Sequence, residues 1–210
     1  MTESMTEVKT YNIYLLRHGK TQGAPALYGH TDVAVSIETQ QSIRKTLTTQ
    51  NLGFTAIETS PLKRCQALAQ QLVDDCPALA LTVTDNWKET HFGDLDGVPF
   101  EAAQSDWPKF EAFWRDPAIH VLPNAEPLEQ FYHRISQAWD SFTQALDQDT
   151  LVICHGGTIR MILAHVLQLD YTNPLLYSTL HIDHQTLTHI QLTQADKNYL
   201  RVRMIGQPLI

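Results

Sequence analysis

Apolar positions along this 210-residue chain follow two spacings. Short runs rich in Ile, Leu, Val, Tyr and Thr read as strands at residues 11–16, 54–59, 79–83 and 150–154. Between them apolar residues recur at helical spacing. Ser36 is placed to cap a helix running to Gln50, with Thr39 where a capping box takes Glu or Gln and Glu38 in the first turn. Ser60 and Pro61 open a second helix to Asp75, with Leu62, Cys65, Leu68, Ala69, Leu72 and Val73 on one face. Helices are further predicted over residues 126–146 and 158–169. The tail alternates, giving strands at 180–182, 186–192 and 200–205 with a hairpin turn at 194–198.

This strand–helix alternation predicts an α/β fold: three α/β/α layers around a mostly parallel central sheet. Residues 87–125 break the rhythm with Trp87, Phe92, Phe100, Trp107, Phe110, Phe113 and Trp114. They predict a small inserted helical cap, about 97–126, in a single domain spanning 1–210. The aromatics read first as the cap's own core and second as a surface on which a flat substrate group could stack.

The predicted strand over residues 11–16 ends on Arg17-His18-Gly19, and the one over 150–154 ends on His155-Gly156-Gly157. In open α/β sheets ligands sit at the carboxyl ends of strands. Arginine offers a planar fork of donors for phosphate or carboxylate, and histidine a nitrogen that attacks or moves a proton near neutral pH. An isolated Arg-His pair is more simply a strand cap. The second strand ending in the same way changes that balance. With Arg64 one turn into its helix and Glu89 after the third strand, the strand ends would supply cations and one carboxylate. That is the inventory for a phosphoryl group: donors for its oxygens, a nucleophile in line, and an acid for the leaving oxygen.

Composition narrows the partners. A net charge of −8 argues against a nucleic-acid or anionic-membrane binder. It leaves room for a small phosphorylated metabolite held by local arginines. Cys65, Cys76 and Cys154 have no zinc spacing, and no run is long enough to span a bilayer. With a polar, leader-free start, these features make the cytoplasm the expected location. The last strand offers an edge for a homodimer.

Three rival motifs have simpler readings. Cys154 to Arg160 spells C-x-x-G-x-x-R, the phosphate loop of cysteine phosphatases, but a buried strand cysteine accounts for it and leaves Arg17, His18 and Arg64 for the histidine route. Gly19-Lys20-Thr21 has the ending of a nucleotide-binding loop, but Tyr14 stands where its first glycine belongs. His181, His184 and His189 lack acidic partners at ligand spacing and read as ordinary surface or core residues.

LLRHGKT, SPLKRCQALA, KETHFGDLDG and VICHGGTIRMIL resemble, in order and over nearly the whole chain, the signatures of the histidine phosphatase superfamily, phosphoglycerate-mutase-like branch. The YGHTD loop, the HFGDLDG segment and the compact length are most similar to α-ribazole-5′-phosphate phosphatases of cobalamin assembly. The resemblance implies a phosphomonoesterase. His18 would attack phosphorus; Arg17, Arg64 and His155 would hold the phosphoryl oxygens. Glu89 would protonate the leaving alcohol and then activate water. Gly156, Thr21 and Gly29 would help bind the phosphate. The resemblance implies no cofactor and no metal. Lys20 departs from the family's Glu or Gln, and Asn124-Ala125 from its usual Gly-Gly. The family's Asn after the first motif is missing, with Thr21 or Gln22 as substitutes. A broad-specificity small-metabolite phosphatase is the next reading. A phosphoglycerate mutase ranks lower, because residues 98–125 lack its paired arginines. The other class is an inactive phosphate-sensing protein.

Overall fold

In the computed structural model the first strand, β1 (Lys9–Arg17), lies inside the sheet and packs on both faces. Residues 8–209 are described; residues 1–7, on which most of the leader-free reading rests, lie outside them. Successive strand side chains point to opposite faces. Ile13 and Leu15 therefore join one core cluster, and Tyr14 and Leu16 another. The same alternation runs through β4 (Thr150–Cys154), whose Val152 and Cys154 share a cluster with Ile13 while Leu151 and Ile153 share one with Leu16. Helices α4 (Leu128–Ala145) and α5 (Gly156–Leu167) cover the first face through Phe131, Trp139, Ile159 and Ile162. Helices α1 (Ile37–Gln50) and α2 (Lys63–Asp75) cover the second through Ile43, Leu47, Leu68 and Leu72. Three layers follow directly from a two-residue period in strands buried on both sides.

The other strands are β2 (Ala56–Thr59), β3 (Ala80–Val83), β5 (Thr186–Gln194) and β6 (Asn198–Pro208). The sheet order is β3-β2-β4-β1-β5-β6. The pairings among β3, β2, β4 and β1 are parallel, whereas β5 joins β1, and β6 joins β5, antiparallel. The expected mostly parallel sheet is thus mixed, with an antiparallel hairpin at one side.

Several boundaries differ from the pattern-based reading, three of them with a visible cause. Residues 180–182 form no strand, because carbonyls there serve arginine side chains: Arg160 Nε–H donates to Leu180 O (3.1 Å) and Arg17 Nη1–H to Ile182 O (2.5 Å). Helix α2 begins at Lys63 rather than Pro61, with Leu62 at its N-cap and the Ser60 hydroxyl shared between His155 and Leu62 N–H. Helix α4 begins at Leu128, behind Pro127.

Between β3 and α4 lie three single 3₁₀ turns (Asp85–Trp87, Gly93–Leu95 and Gln104–Asp106) and α3 (Trp107–Arg115). Leu95, Ala103, Phe110 and Leu122 form a cluster of their own, joined by Phe92 and Phe113. It reaches back past residue 97. Backbone bonds tie this segment to the loop after β1: Gly97 N–H donates to Leu27 O (2.7 Å) and Phe100 N–H to Pro25 O (2.9 Å). Phe110 is its centre, fully buried, edge-on to Phe100 and stacked on Trp114. Replacing Phe110 by Ala should cost about 3–5 kcal/mol through lost burial and a cavity. Urea denaturation checks this, and a cost below about 1 kcal/mol would show that Phe110 does not anchor the segment.

Candidate active site

Register brings the motifs together. Along the C-terminal edge of the sheet Arg17 pairs with Cys154, and Thr59 pairs with Ile153. The next backbone groups continue these ladders: His18 N–H donates to Cys154 O (3.1 Å) and Ser60 N–H to Ile153 O (3.0 Å). Residues 18, 60 and 155 therefore leave three adjacent strands at one level. The ring centroids of His18 and His155 are 5.1 Å apart.

His18 is 6% exposed, and its Nδ1 lies 2.7 Å from the Gly19 carbonyl oxygen. A carbonyl only accepts, so Nδ1 carries the proton. Burial first, then the charges of Arg64 and Arg17, hold the ring's pKa well below the usual histidine value. The ring is therefore neutral near pH 7, and Nε2 has a free lone pair. Gly19 is packed rather than open: an added Cβ would meet Thr39 at 2.7 Å and Val35 at 2.8 Å. Its missing side chain admits helix α1, not a ligand.

His155 and Arg64 are both fully buried and bond directly, Arg64 Nε–H donating to His155 Nδ1 (3.1 Å). His155 Nε2–H then donates to Ser60 Oγ (2.8 Å). Burial first, then Arg64, hold this ring neutral too. The rest of the Arg64 fork turns inward. Nη1 donates to Thr31 O (3.0 Å), and Nη2 to Tyr28 O (3.1 Å) and Gly29 O (2.5 Å). Gly29 thus meets Arg64 through its carbonyl, and a Cβ on it would collide with Thr90 O and Asp96.

Glu89 accepts from the first turn of α5. Gly157 N–H reaches its Oε2 (2.8 Å), and Thr90 N–H its Oε1 (3.0 Å). A Cβ on Gly157 would strike this carboxylate. The Glu89 carbonyl is held from two sides, by His30 Nε2–H (3.0 Å) and Arg134 Nη2–H (3.4 Å). Arg134 is itself forked onto Glu126, with both bonds at 2.9 Å. Gly156 lies against Arg17, where a Cβ would come 3.2 Å from its Nε.

A cavity of about 620 Å³ opens over these groups. Arg17, His18, Glu89, Gly156, Arg160 and His184 line its polar end, with Thr21 and Lys20 beside them. Leu27, Tyr28, Phe92, Phe113, Trp114 and Phe131 line its apolar wall. Arg64, His155 and Gly29 do not line it. The structure therefore gathers Arg17, His18, Glu89, Gly156 and Thr21 at the cavity, sets Arg64 and His155 behind His18, and leaves Gly29 as a support of Arg64.

Residue patterns missed four participants. Arg160 lies four residues after Gly156, on the same face of α5. The C-x-x-G-x-x-R string marked it, but the string was weighed as a cysteine motif. It lines the cavity; its Nε–H donates to Leu180 O, and its Nη groups have no hydrogen bond among the described residues. His30 and Arg134 hold Glu89 through its backbone, which leaves no spacing signal. His184 reaches the site only because β5 enters antiparallel beside β1. His189, by contrast, stacks on Tyr14 (4.7 Å) and bonds Asn12, away from the cavity. Cys154 points into the core beside Ile159 and Val152, fully buried, and burial pushes its thiol pKa well up. No thiolate is available there at neutral pH.

Two arginines, a carboxylate and a neutral histidine around one cavity at the ends of parallel strands define an α/β enzyme of phosphate esters. Family comparison agrees. The profile of the histidine phosphatase superfamily (branch 1) matches residues 13–204, and the chain belongs to that superfamily. It is a phosphoric monoester hydrolase of the histidine type. It is 27% identical over 171 residues to the protein named uncharacterized phosphatase PhoE of Bacillus subtilis, covering 80% of this chain and 81% of that one. Its fold is shared by YhfR of Bacillus stearothermophilus (TM-score 0.79, 22% identity, 94% of this chain and 97% of that one). It is also shared by the α-ribazole phosphatase of Shigella flexneri (TM-score 0.75, 19% identity, 94% and 98%). Among the described residues no helix is long and apolar enough to cross a membrane.

Burial of His18 and His155 has a thermodynamic consequence. Both are neutral in the folded state and free to charge once unfolded, so below about pH 6.5 the unfolded state binds more protons. Stability then falls as pH falls, by up to about 1.4 kcal/mol per unit for each ring. Urea titrations should show the unfolding free energy dropping by more than about 2 kcal/mol between pH 7.5 and 5. A flat profile across that interval would mean that the two rings titrate as freely in the folded protein as in the unfolded one.

Proposed function

We propose that the chain hydrolyses phosphate monoesters through a phosphohistidine on His18. The observation that carries this reading is the His18 Nδ1–H bond to Gly19 O, which leaves Nε2 unprotonated. In the first step the Nε2 lone pair attacks phosphorus and the bond to the leaving oxygen breaks. That oxygen takes a proton from Glu89, protonated for this step. In the second step water attacks the phosphohistidine, Glu89 takes the water's proton, and the N–P bond breaks to release phosphate. Arg17 supplies direct donors at the cavity. Arg64 adds positive potential, and the neutral His155 adds one further donor, its Nε2–H now on Ser60, for which a phosphoryl oxygen would compete. Gly156 lets the backbone approach, and Thr21 contributes a hydroxyl at the rim. The arginines supply the charge that a metal supplies elsewhere.

The leaving group we favour is α-ribazole, from α-ribazole 5′-phosphate. The apolar wall of Phe92, Phe113 and Trp114 supports a flat apolar ring there, and the Arg160 Nη groups offer donors to ribose hydroxyls. The same wall would accept other hydrophobic esters, the pattern of a broad-range phosphatase.

Acid-labile ³²P should be trapped on the wild type and lost in His18→Ala, while Cys154→Ser keeps labelling and turnover of p-nitrophenyl phosphate in EDTA. The opposite pattern would install the cysteine route, and binding without labelling would leave a phosphate sensor. On a panel of esters, α-ribazole 5′-phosphate should exceed 3-phosphoglycerate and glycerol 3-phosphate in kcat/KM by roughly 100-fold or more, the yield of one well-filled apolar pocket. Near-equal values would favour the broad-range reading.

A further inference from the structure

The chain between α6 (Leu175–Ser178) and β5 folds over Arg17 and His18 and touches them through three residues. Ile182 O accepts from Arg17 Nη1 (2.5 Å). His184 Nε2 lies 3.1 Å from Arg17 Nη2. Gln185 N–H donates to the carbonyls of Arg17 (3.2 Å) and His18 (3.3 Å). Gln185 holds φ +60°, the left-handed region, to make this turn. A guanidinium only donates, so Nε2 of His184 is an acceptor and its proton sits on Nδ1. The ring also stands edge-on to His18, with centroids 5.3 Å apart, and lines the cavity. Burial first, then the charge of Arg17, lower its pKa to about 4, so the accepting form is the one present near neutral pH.

The Arg17 fork is thus gripped at both Nη atoms, while its Nε is buried beside Gly156 without a partner. We propose that His184 is a positioning residue for phosphoryl transfer: by accepting from Arg17 Nη2 it fixes the plane of the fork, so that Nε–H and the remaining Nη hydrogens are aimed at a phosphoryl oxygen. An uncharged acceptor suits this task. A carboxylate in its place would bind the guanidinium more tightly and cancel charge intended for the substrate. An aliphatic side chain would leave Nη2 to swing. This inference rests on the phosphohistidine reading for its chemistry, but the contact with Arg17 is independent of it.

The test is a coupling cycle read by kcat/KM for p-nitrophenyl phosphate, with His18→Ala as a parallel control. His184→Leu removes the acceptor and should lower kcat/KM by about 10- to 100-fold, the worth of one hydrogen bond to a charged group. His184→Asn restores an uncharged acceptor and should recover to within about 5-fold of wild type. In an Arg17→Lys background, where the fork is already gone, His184→Leu should cost less than about 2-fold, because residues that act through one contact are not additive. The proposal is overturned if His184→Leu stays within twofold of wild type, if His184→Asn is no better than His184→Leu, or if the loss is as large in the Arg17→Lys background. Activity surviving in His18→Ala would instead remove the phosphohistidine reading, and the cycle would still score the coupling of His184 to Arg17.

Discussion

One hydrogen bond organises the chemistry: His18 Nδ1–H to the carbonyl of its own neighbour, Gly19. It decides which nitrogen keeps its lone pair, and it can form only if the chain turns sharply as it leaves β1. That turn depends on Gly19 lying tight against Thr39 and Val35, so the first helix helps to set the nucleophile's tautomer. The strand itself is set by register, since pairing of Arg17 with Cys154 carries straight on into the bond from His18 N–H to Cys154 O. A slip of one residue would exchange the two faces of β1, setting Ile13 and Leu15 among the packing partners of Tyr14 and Leu16, and would carry His18 away from Cys154 O. The core therefore holds the nucleophile in place as firmly as any residue beside it.

Electrostatics then act on a ring that burial has already made neutral. The chain carries a net charge of −8, yet Arg17, Arg64 and Arg160 all lie at or behind one cavity. The charges of Arg64 and Arg17 add to burial in keeping protons off His18 and His155, and all three arginines would draw in a phosphate dianion. Arg64 spends its donors on His155 and on the carbonyls of Tyr28, Gly29 and Thr31. It ties the loop after β1 to the end of β4, and its effect on a substrate passes through potential and through His155. Glu89 is braced differently, by two amides at its carboxylate and by His30 and Arg134 at its backbone.

Much of this was legible in the residues. Strand runs ending on Arg17-His18 and on His155-Gly156 placed both histidines at one edge, because a parallel sheet puts like ends together. Arg64, one turn into its helix, and Glu89, after the third strand, joined them by position, and the family resemblance added their roles. Less visible was anything fixed by antiparallel entry or by backbone carbonyls. Residues 180–182 alternate like a strand, but their carbonyls answer to Arg17 and Arg160 instead of a neighbouring strand. Ser60 reads as a helix cap, but its hydroxyl is shared: it accepts from the buried His155 imidazole (2.8 Å) and only at 3.4 Å from Leu62 N–H. His184 looked like one of three scattered histidines; only the hairpin at the sheet's far side carries it to Arg17. Arg160 sits in a motif that names a cysteine, but the Cys154 side chain is buried in the core and does not line the cavity, whereas Arg160 does.

The chemistry turns on the nitrogen that takes the phosphoryl group. Phosphorus–nitrogen coupling in ¹⁵N-histidine-labelled protein, trapped as the phosphoenzyme and unfolded in base, distinguishes the two ring positions. The bond to Gly19 predicts phosphorus on Nε2 of His18. Phosphorus on Nδ1 would mean that this bond is broken in the working enzyme, and the tautomer argument would fail with it.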